Sequence, residues 1–517
     1  MHMKQPLIRL VTLSWMILGI GACQHNNGGS SSTGPSTPAR GALLQSPPAA
    51  TATFGPADIL SLLGVNTLGQ TLLLSAYSPI CTVTVFHLEY QTVDPAGNLT
   101  PASGALMVPS GTAACQGPRP IVEYAHGTQT DRSYDIADLS ASDNSEGLIL
   151  AAVFAAEGYI VVAPNYVGYD ISTLSYHPYL DADQQSKDMI DALTATRSAL
   201  PTMQAPSSTD SGKLFVTGYS QGGFVAMATH RAMQAAGMAV TAAAPLSGPY
   251  TLAALGDAVF EGEVNSSAVE NLVLLAASYQ NAYGNLYTNT TDVFASPYAS
   301  DVATLLPSTT ALSTLESNGS LPPALFSSTP PSAAYAAETP ALTPANLAPI
   351  FAQGFGTQFL VINAYRLAYL QDAAANPDGG FPTLTNGLPA ANPTNTLRQD
   401  LKLNDLRTWG PTSPVLLCGG NSDPTVFFFD TQLMQDYWTA NSPTSVFTVL
   451  DVDSAPTAND PYADEKTGFA AAEALVRADA IANGATDGGE LAVLDDYHAR
   501  LVPPFCLSAA KSFFDGF

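Results

Sequence analysis

The stretch GYSQGG at residues 218–223 places a serine between glycines, directly after the apolar, strand-like run KLFVT. Ser220 is the centre of a GxSxG pattern, and the helical pattern FVAMATHRAMQAAG follows it. A strand, a tight turn and a helix in this order can hold a serine in a strained conformation with its oxygen at the helix N-terminus. An ordinary glycine-rich turn would give the same five letters, so the flanking strand and helix support the prediction that Ser220 is a nucleophile.

A serine hydroxyl is a poor nucleophile at neutral pH and needs a base to accept its proton. His498, in LDDYHARLVPPFC near the C-terminus, is the predicted base, because the histidine comes last in the chain order Ser, Asp, His that accompanies this turn. We expect it in a loop between helical stretches. The remaining histidines lie in segments that do not suit the role: His2, His25, His87, His126, His177 and His230.

The third member of such a triad is a carboxylate that orients the imidazole and stabilises its charged form. Asp423 follows the apolar run PVLLC in a glycine-rich loop and is the predicted acid. Asp451 and Asp453 follow the next strand-like run and are competitors, whereas Asp430 falls in the following helix. Because a carboxylate after a strand is often only a helix cap, the assignment depends on chain order and position.

The negative charge that develops on an attacked carbonyl oxygen needs two hydrogen-bond donors. The backbone N–H of Gln221, directly after the nucleophile, is one predicted donor. The turn YAHGT is predicted to supply the second donor from the N–H of Gly127 or Thr128, because glycine lets the backbone approach a substrate closely. The alternative is a turn that merely ends a strand.

The segments around these residues indicate the elements that position them. CTVTVFHLEYQTV and TPASGALMVPSG predict an antiparallel pair, after which apolar runs alternate with helical patterns up to about residue 250 and again from SPVLLCGG. This pattern predicts a mostly parallel sheet with helices on both faces, in the element order of an α/β-hydrolase fold. Residues 251–408 interrupt the rhythm and are predicted to form a mainly helical cap within one domain over 53–517.

Several motifs together resemble the secretory lipase family of α/β-hydrolases over roughly residues 80–510: YAHGT, VVAPNYVGYD, SYHPYL, GYSQGG and PLSGPY, with Asp423 before His498. The resemblance implies hydrolysis of the carboxylic esters of acyl groups beneath a helical cap that is inserted before the acid. Residues 165–169 read Asn-Tyr-Val-Gly-Tyr where the family often has Asp-Tyr-x-Gly-x-Gly. This departure bears on substrate preference rather than on the chemistry.

The predicted function is therefore that of a serine carboxylesterase or lipase that acts through an acyl-enzyme, with no metal and no cofactor. Its predicted partner is a small-molecule or lipid ester. A net charge of −26 argues against nucleic acid and against an anionic membrane surface. An exported serine peptidase and a polyester depolymerase use the same triad, and a surface binding lipoprotein is the non-enzymatic alternative.

Four cysteines follow the N-terminal region, and an oxidising compartment would join them as two disulfides in one of three pairings. Cys81 with Cys115 and Cys418 with Cys506 are the predicted pairs. The second bridge would tie the loop of the predicted acid to the segment of the predicted base.

The N-terminus has basic residues followed by an apolar stretch from Leu10 to Ile20, which predicts a signal peptide over 1–22. Its end, IGAC, resembles a bacterial lipobox, so Cys23 is predicted to be lipidated and to provide the protein's sole membrane attachment. Gln24 favours the outer membrane or cell surface. Residues 23–52, rich in Gly, Ser, Thr and Pro, are predicted to be a flexible tether.

Overall fold

A computed structural model of the protein describes residues 38–74, 77–140, 144–203 and 208–517. The predicted signal peptide over 1–22, the predicted lipidation site Cys23 and the residues up to 37 lie outside the described residues. None of the described helices is both long enough and apolar enough to cross a membrane.

The tether predicted over 23–52 extends too far along the chain. The folded unit begins at Pro38. The guanidinium of Arg40 already pairs with Asp191 at 2.8 Å, and a strand begins at Ala49. The small side chains of AATATF suit a strand at the sheet edge that is mostly exposed, which is why their composition resembles that of a linker.

Twelve strands form two sheets in the described residues: β1 (Ala49–Phe54), β2 (Thr82–Val93), β3 (Leu99–Ser110), β4 (Gly117–Ala125), β5 (Ile160–Pro164), β6 (Ser208–Tyr219), β7 (Ala242–Leu246), β8 (Ala324–Ser327), β9 (Phe355–Gly356), β10 (Phe359–Val361), β11 (Val415–Gly419) and β12 (Phe447–Asp451). The large sheet has nine strands in the order β1-β2-β3-β5-β4-β6-β7-β11-β12. β1, β2, β3 and β5 pair antiparallel, and every pair from β5 to β12 is parallel.

Fifteen α-helices accompany these strands in the described residues: α1 (Pro56–Val65), α2 (Thr67–Leu72), α3 (Ser145–Val153), α4 (Ala182–Ala199), α5 (Gln221–Ala235), α6 (Leu252–Phe260), α7 (Ala268–Tyr283), α8 (Leu312–Ser317), α9 (Ala348–Gln353), α10 (Asn363–Ala375), α11 (Thr396–Asn404), α12 (Phe429–Asn441), α13 (Ala463–Ala482), α14 (Glu490–Asp496) and α15 (Val502–Phe514).

Three of the parallel strands are buried along their whole length because helices cover both faces of the sheet. Every residue of β5 (IVVAP), β7 (AAAPL) and β11 (VLLCG) is buried. Burial on both faces removes the alternation of apolar and polar residues that a half-exposed strand shows. The predicted α/β-hydrolase fold, with a mostly parallel sheet between helices, is confirmed.

The predicted cap corresponds to the residues between β7 and β11. This insertion, which we call the cap, contains the six helices α6 to α11, in keeping with the expected helical character. It also contains a small parallel sheet in the order β10-β8-β9, which the sequence did not predict. Strands of two to four residues are too short to produce a recognisable periodic pattern.

Both predicted disulfides are present. Cys81 is bonded to Cys115 across 34 residues, and Cys418 is bonded to Cys506 across 88 residues. Cys418 lies in β11 and Cys506 in α15, so the second bridge joins the strand before Asp423 to the helix after His498.

Candidate active site

Ser220 lies on the turn between β6 and α5 in a conformation that residues other than glycine rarely adopt. Its φ is +60° and its ψ is −124°. Glycine is needed beside it because the backbone of β4 approaches closely. A Cβ at Gly218 would lie 2.5 Å from the carbonyl oxygen of Ala125, and a Cβ at Gly222 would lie 1.9 Å from the same atom. The glycines of GYSQGG therefore permit the strained turn that exposes the serine oxygen.

Three side chains that are far apart in sequence meet at this turn. His498 Nε2 lies 2.8 Å from Ser220 Oγ, and His498 Nδ1 lies 2.7 Å from Asp423 Oδ2. An ionised carboxylate only accepts hydrogen bonds, so the proton of a neutral imidazole is on Nδ1. Nε2 then offers its lone pair to the serine hydroxyl, as a general base must.

The carboxylate of Asp423 is almost fully buried and is held by four donors. Its Oδ2 accepts from the hydroxyl of Ser247 at 2.9 Å as well as from His498. Its Oδ1 accepts from the backbone N–H groups of Thr425 and Val426, at 2.9 and 3.0 Å. These bonds fix the position of the carboxylate against the imidazole, which it orients.

The competing aspartates have other partners. Asp451 accepts from the backbone N–H groups of Asn421 and Asp453, at 3.1 and 3.0 Å. Asp453 accepts from the hydroxyl of Tyr497 at 2.7 Å, and Asp430 accepts from Thr251 in the protein interior. None of these bonds reaches His498, so the structure brings Asp423, and neither competitor, to the imidazole.

His498 belongs to a helical turn, and the prediction of a loop at this position is wrong. Residues Tyr497–Leu501 form one turn of π-helix between α14 and α15. Such turns recur at functional sites because the extra residue changes the direction of a side chain. The carbonyl oxygen of His498 accepts from the hydroxyl of Tyr219 at 2.7 Å, which ties the turn to the end of β6.

The other described histidines are engaged away from Ser220. Burial lowers the pKa of His126 to about 4, of His177 to about 3 and of His230 to about 4, so these three stay neutral in water near pH 7. Their polar contacts are His87 with Asp170 (2.8 Å), His126 with the Gly127 and Asn165 carbonyls (2.7 and 3.1 Å), His177 with Gln221 (2.7 Å) and His230 with Ser413 (2.7 Å).

Gln221 and Thr128 both line the cavity beside Ser220, and the backbone N–H of each has no hydrogen-bond partner among the described residues. Gln221 is the first residue of α5, where a backbone N–H has no acceptor within the helix. Thr128 follows the turn after β4. The N–H of Gly127, the alternative predicted donor, is already bound to the carboxylate of Glu146 at 3.1 and 3.2 Å. The structure therefore leaves Thr128 rather than Gly127 to accompany Gln221.

Glu146 is a site residue that the sequence analysis missed. It is the second residue of α3, accepts from the hydroxyl of Tyr124 at 2.5 Å and from the N–H of Gly127, and lines the cavity beside Ser220. Burial raises the pKa of its carboxyl to about 7. Glu146 precedes a helical run in the sequence, where an acidic residue ordinarily only complements the helix dipole, so no local signal distinguishes it.

Ser220 and His498 line a cavity of about 550 Å³. Its wall is mostly apolar and comes from both the cap and the helices of the sheet domain, for example Leu255, Phe260 and Leu275 from the cap. No lysine or arginine lines the cavity in the described part of the chain, whereas Glu146 and Glu270 do. The site therefore favours an uncharged, largely apolar ligand.

A separate group of potential metal ligands lies around His87 in β2. His87, Asp135 and Asp170 bring one ligand atom each within 4.8 Å of one another. His87 and Asp170 already contact each other at 2.8 Å, and Ser103 donates to the same carboxylate oxygen at 2.5 Å. An ion pair supported by a hydroxyl accounts for this group.

Comparison with known proteins gives both sequence and structural matches. The model of the prolyl oligopeptidase family matches residues 149–286, about a quarter of the chain. No curated protein sequence matches the chain significantly.

The solved structures that resemble the chain include the rice cell wall degrading esterase LipA from Xanthomonas oryzae. It is 26% identical with a TM-score of 0.62, over 80% of this chain and 91% of that protein. A ligand-bound form of LipA has a TM-score of 0.65 at 24% identity, over 92% and 98% of the two chains. A putative hydrolase from Legionella pneumophila, at 19% identity and a TM-score of 0.60 over 90% and 96% of the chains, shares the fold.

These matches agree with the overall fold of the described residues. On these grounds the chain is a hydrolase of the α/β-hydrolase superfamily, with an esterase among the structures that it resembles.

Proposed function

We propose that the protein is a carboxylester hydrolase that cleaves acyl esters through a Ser220-His498-Asp423 triad. The observation that supports this most directly is the chain of contacts from Ser220 Oγ to His498 Nε2 at 2.8 Å and from His498 Nδ1 to Asp423 Oδ2 at 2.7 Å. This is the arrangement that activates a serine hydroxyl for attack on a carbonyl carbon.

In the first half of the reaction, His498 Nε2 accepts the hydroxyl proton while Ser220 Oγ bonds to the ester carbonyl carbon. The carbonyl oxygen takes up negative charge and accepts from the N–H groups of Gln221 and Thr128. The bond to the alcohol oxygen then breaks, and the imidazolium of His498 returns its proton to that oxygen. Asp423 stabilises the imidazolium throughout and does not itself take the proton.

In the second half, water replaces the alcohol. His498 accepts a proton from the water as the water oxygen attacks the acyl carbon. Collapse of the second tetrahedral intermediate breaks the bond to Ser220 Oγ, which recovers its proton from His498. The products are a carboxylic acid and the free serine, so no step requires a chemical group that these residues do not supply.

The cavity supports an ester with a sizeable apolar group. Its wall is dominated by leucines and other apolar side chains from both the cap and the sheet domain. About 550 Å³ accommodates a ligand of several carbon atoms on either side of the ester. A substrate carboxylate would find no cationic side chain among the described lining residues, which favours neutral esters over charged peptides.

A serine peptidase is the second candidate, because the family model that matches residues 149–286 describes prolyl oligopeptidases. The chemistry would differ only in the leaving group, an amine instead of an alcohol. The two candidates differ in what they demand of the cavity, since a peptidase must also bind the charged terminus or the polar backbone of a peptide.

The deciding experiment compares ester and peptide substrates on one preparation of residues 38–517. We expect turnover of p-nitrophenyl esters from acetyl to palmitoyl, with an optimum above acetyl, and no cleavage of proline p-nitroanilides. Ser220→Ala should abolish ester turnover. A chain that cleaves the anilides faster than every ester would replace the esterase by a peptidase, and a chain without turnover of either would point to a polyester depolymerase or a binding protein.

We also propose that the mature protein is an exported lipoprotein attached to the outer membrane or cell surface through Cys23. Two disulfides suit an oxidising compartment. Expression of the full chain in a bacterial host should place it in the membrane fraction, with Cys23→Ser releasing it. Recovery of the unchanged chain in the soluble periplasmic fraction would contradict the anchor.

A further inference from the structure

The loop between β5 and α4, residues 165–181, contacts both segments that carry the proposed oxyanion donors. These are the turn after β4, with Thr128, and the start of α5, with Gln221. It contains the motif SYHPYL, whose conspicuous histidine and tyrosines have no role in the proton transfers described above. His177 of this loop is fully buried and Tyr179 nearly so. Their polar atoms bind the side chains of Gln221 and Thr128, the two residues proposed above to donate their backbone N–H groups to the oxyanion.

His177 holds the side chain of Gln221. The amide nitrogen of Gln221 lies 2.7 Å from His177 Nε2, and His177 Nδ1 lies 3.0 Å from the carbonyl oxygen of Val167. That carbonyl can only accept, so Nδ1 carries the proton of the neutral ring and Nε2 accepts from Gln221. Burial lowers the pKa of His177 to about 3, so this arrangement persists at neutral pH.

Tyr179 holds the side chain of Thr128. The Tyr179 hydroxyl lies 3.1 Å from Thr128 Oγ1 and 3.2 Å from Asn271 Oδ1 in α7 of the cap. The amide oxygen of Asn271 only accepts, so Tyr179 donates to Asn271 and accepts from the hydroxyl of Thr128. Tyr179 therefore links the turn after β4, which contains Thr128, to α7 of the cap as well as to its own loop.

His177 and Tyr179 are only two residues apart in the chain, and the backbone between them is restricted. His177 and Tyr179 are separated by Pro178, which fixes one backbone torsion, and the N–H of Tyr179 donates to the carbonyl oxygen of His177 at 2.8 Å. A displacement of the loop would shift both contacts together. Small displacements matter at such a site because hydrogen bonds to the transition state depend steeply on geometry.

We propose that His177 and Tyr179 are positioning residues that aim the two oxyanion donors, the N–H of Gln221 and the N–H of Thr128, by holding the side chains of those residues. The inference rests on the proposed esterase function. It predicts that the loop affects the transition state more than the binding of the substrate, so its loss should lower kcat and leave KM nearly unchanged.

The test for His177 compares two substitutions in steady-state hydrolysis of a p-nitrophenyl ester, with active sites counted by a p-nitrophenyl phosphonate. His177→Leu removes the acceptor, and we expect kcat to fall by roughly 10- to 100-fold with KM changed by less than about threefold. His177→Gln supplies an amide oxygen as acceptor and should recover most of kcat. His230→Leu, which removes another buried histidine ten residues beyond Ser220 on α5, should leave kcat close to that of the unchanged protein.

The test for Tyr179 is a double-mutant cycle with Thr128, and it does not depend on whether the His177 variants fold. Tyr179→Phe and Thr128→Val each remove one hydroxyl with little change of shape. We expect each to lower kcat by about 3- to 10-fold, and the double variant to be no slower than either single variant. Tyr159→Phe is the control, because its hydroxyl binds Asp515 instead.

The outcomes separate this inference from the proposed function. No ester turnover and no reaction with the phosphonate by the unchanged protein would refute the esterase. An active unchanged protein whose His177→Leu and Tyr179→Phe variants keep its kcat, or whose losses at Tyr179 and Thr128 multiply, would overturn the positioning role alone. Losses that appear in KM rather than kcat would also overturn it.

Discussion

At the carboxyl ends of β4, β6, β7 and β11, close backbone contacts hold the chain in place, whereas buried arginines do so in the cap. The N–H of Ser220 donates to the carbonyl oxygen of Leu246 at 3.0 Å, and the N–H of Ser247 donates to that of Cys418 at 2.7 Å. Carboxyl side chains also contact this edge of the sheet: Asp423 binds the imidazole of His498, and Glu146 binds the N–H of Gly127.

The cap has the opposite character. Arg398 binds Asp257 and Asp372 at 2.7 Å, and it is 4% exposed. Arg407 binds Asp378 and Asp405 at 2.8 Å with no exposure at all. The chain has only 17 lysines and arginines among 517 residues. Two of these few cations, Arg398 and Arg407, are buried in the cap.

The two regions are therefore sensitive to different kinds of substitution. The sheet edge depends on shape, because a single added methyl group would collide with backbone. The cap depends on charge balance, because removing a buried cation leaves carboxylates without a partner in a medium of low polarity. We therefore expect an added methyl group to be more damaging at the sheet edge than in the cap. We expect the loss of a buried cation to be more damaging to stability in the cap.

The largest expected effect is at the contact between Asp423 and His498. Asp423→Asn should lower kcat for a p-nitrophenyl ester by roughly 10³- to 10⁴-fold, because an amide can donate to His498 and favour the wrong tautomer. The unfolding temperature should change little. Asp453→Asn is the matched control, and a loss at Asp453 as large as that at Asp423 would mean that the acid is wrongly assigned.

The next effect tests the charge balance of the cap. Arg407→Met should lower the free energy of unfolding by about 3–5 kcal/mol, since Asp378 and Asp405 would stay buried without their cation. Arg477 forms exposed pairs with Glu473 and Glu490 outside the cap, so Arg477→Met should cost no more than about 1 kcal/mol. Urea unfolding measures both, and equal small losses would refute the distinction.

A smaller effect tests the dependence of the sheet edge on shape. Gly222→Ala would place a Cβ 1.9 Å from the carbonyl oxygen of Ala125. The turn must shift, and we expect kcat/KM to fall about 100-fold. Gly64→Ala in α1 meets no atom within 4 Å and should leave kcat/KM unchanged. Unchanged kcat/KM in Gly222→Ala would show that the turn accommodates a Cβ at this position, and it would contradict the dependence of the sheet edge on shape.

The smallest effect concerns pH. Burial raises the pKa of Asp188 and of Asp430 to about 7, whereas unfolded aspartates titrate near 4. The folded chain therefore holds protons that the unfolded chain releases, so this contribution is fully present below about pH 4 and is lost as the pH rises through 7. We expect about 2–3 kcal/mol less stability from each group at pH 8 than at pH 5.

Unfolding in urea at the two pH values checks this expectation. Asp188→Asn and Asp430→Asn should each flatten the pH dependence by removing one titrating group. A dependence that is unchanged in both variants would mean that neither carboxyl holds its proton in the folded protein at pH 5.

The sequence was sufficient for the residues whose chemistry depends on local patterns. Ser220 was predicted from the glycines and the flanking strand and helix of its turn, and Asp423 from its place after the run PVLLC, with Asp451 left as a competitor. The two disulfides followed from the positions of the predicted acid and base. These features depend on short segments or on chain order, both of which a sequence displays.

The remaining features depend on contacts between distant segments. No local pattern reveals that Glu146 binds the N–H of Gly127, and the edge strand β1 has too few large apolar residues to be distinguished from a linker. The burial of Arg407 is equally invisible in composition, because its partner Asp378 comes from another part of the cap. The π-helical turn at His498 contains neither glycine nor proline, and Pro503 and Pro504 follow it inside α15.

Covalent labelling of the nucleophile tests the Ser220-His498-Asp423 triad most directly. Residues 38–517 are treated with a p-nitrophenyl alkylphosphonate, and the label is located by peptide mass spectrometry. We predict one phosphonyl group per chain, attached to Ser220, with ester hydrolysis lost in proportion to the labelling. A label on another residue, or ester hydrolysis that continues after Ser220 is fully labelled, would contradict the triad.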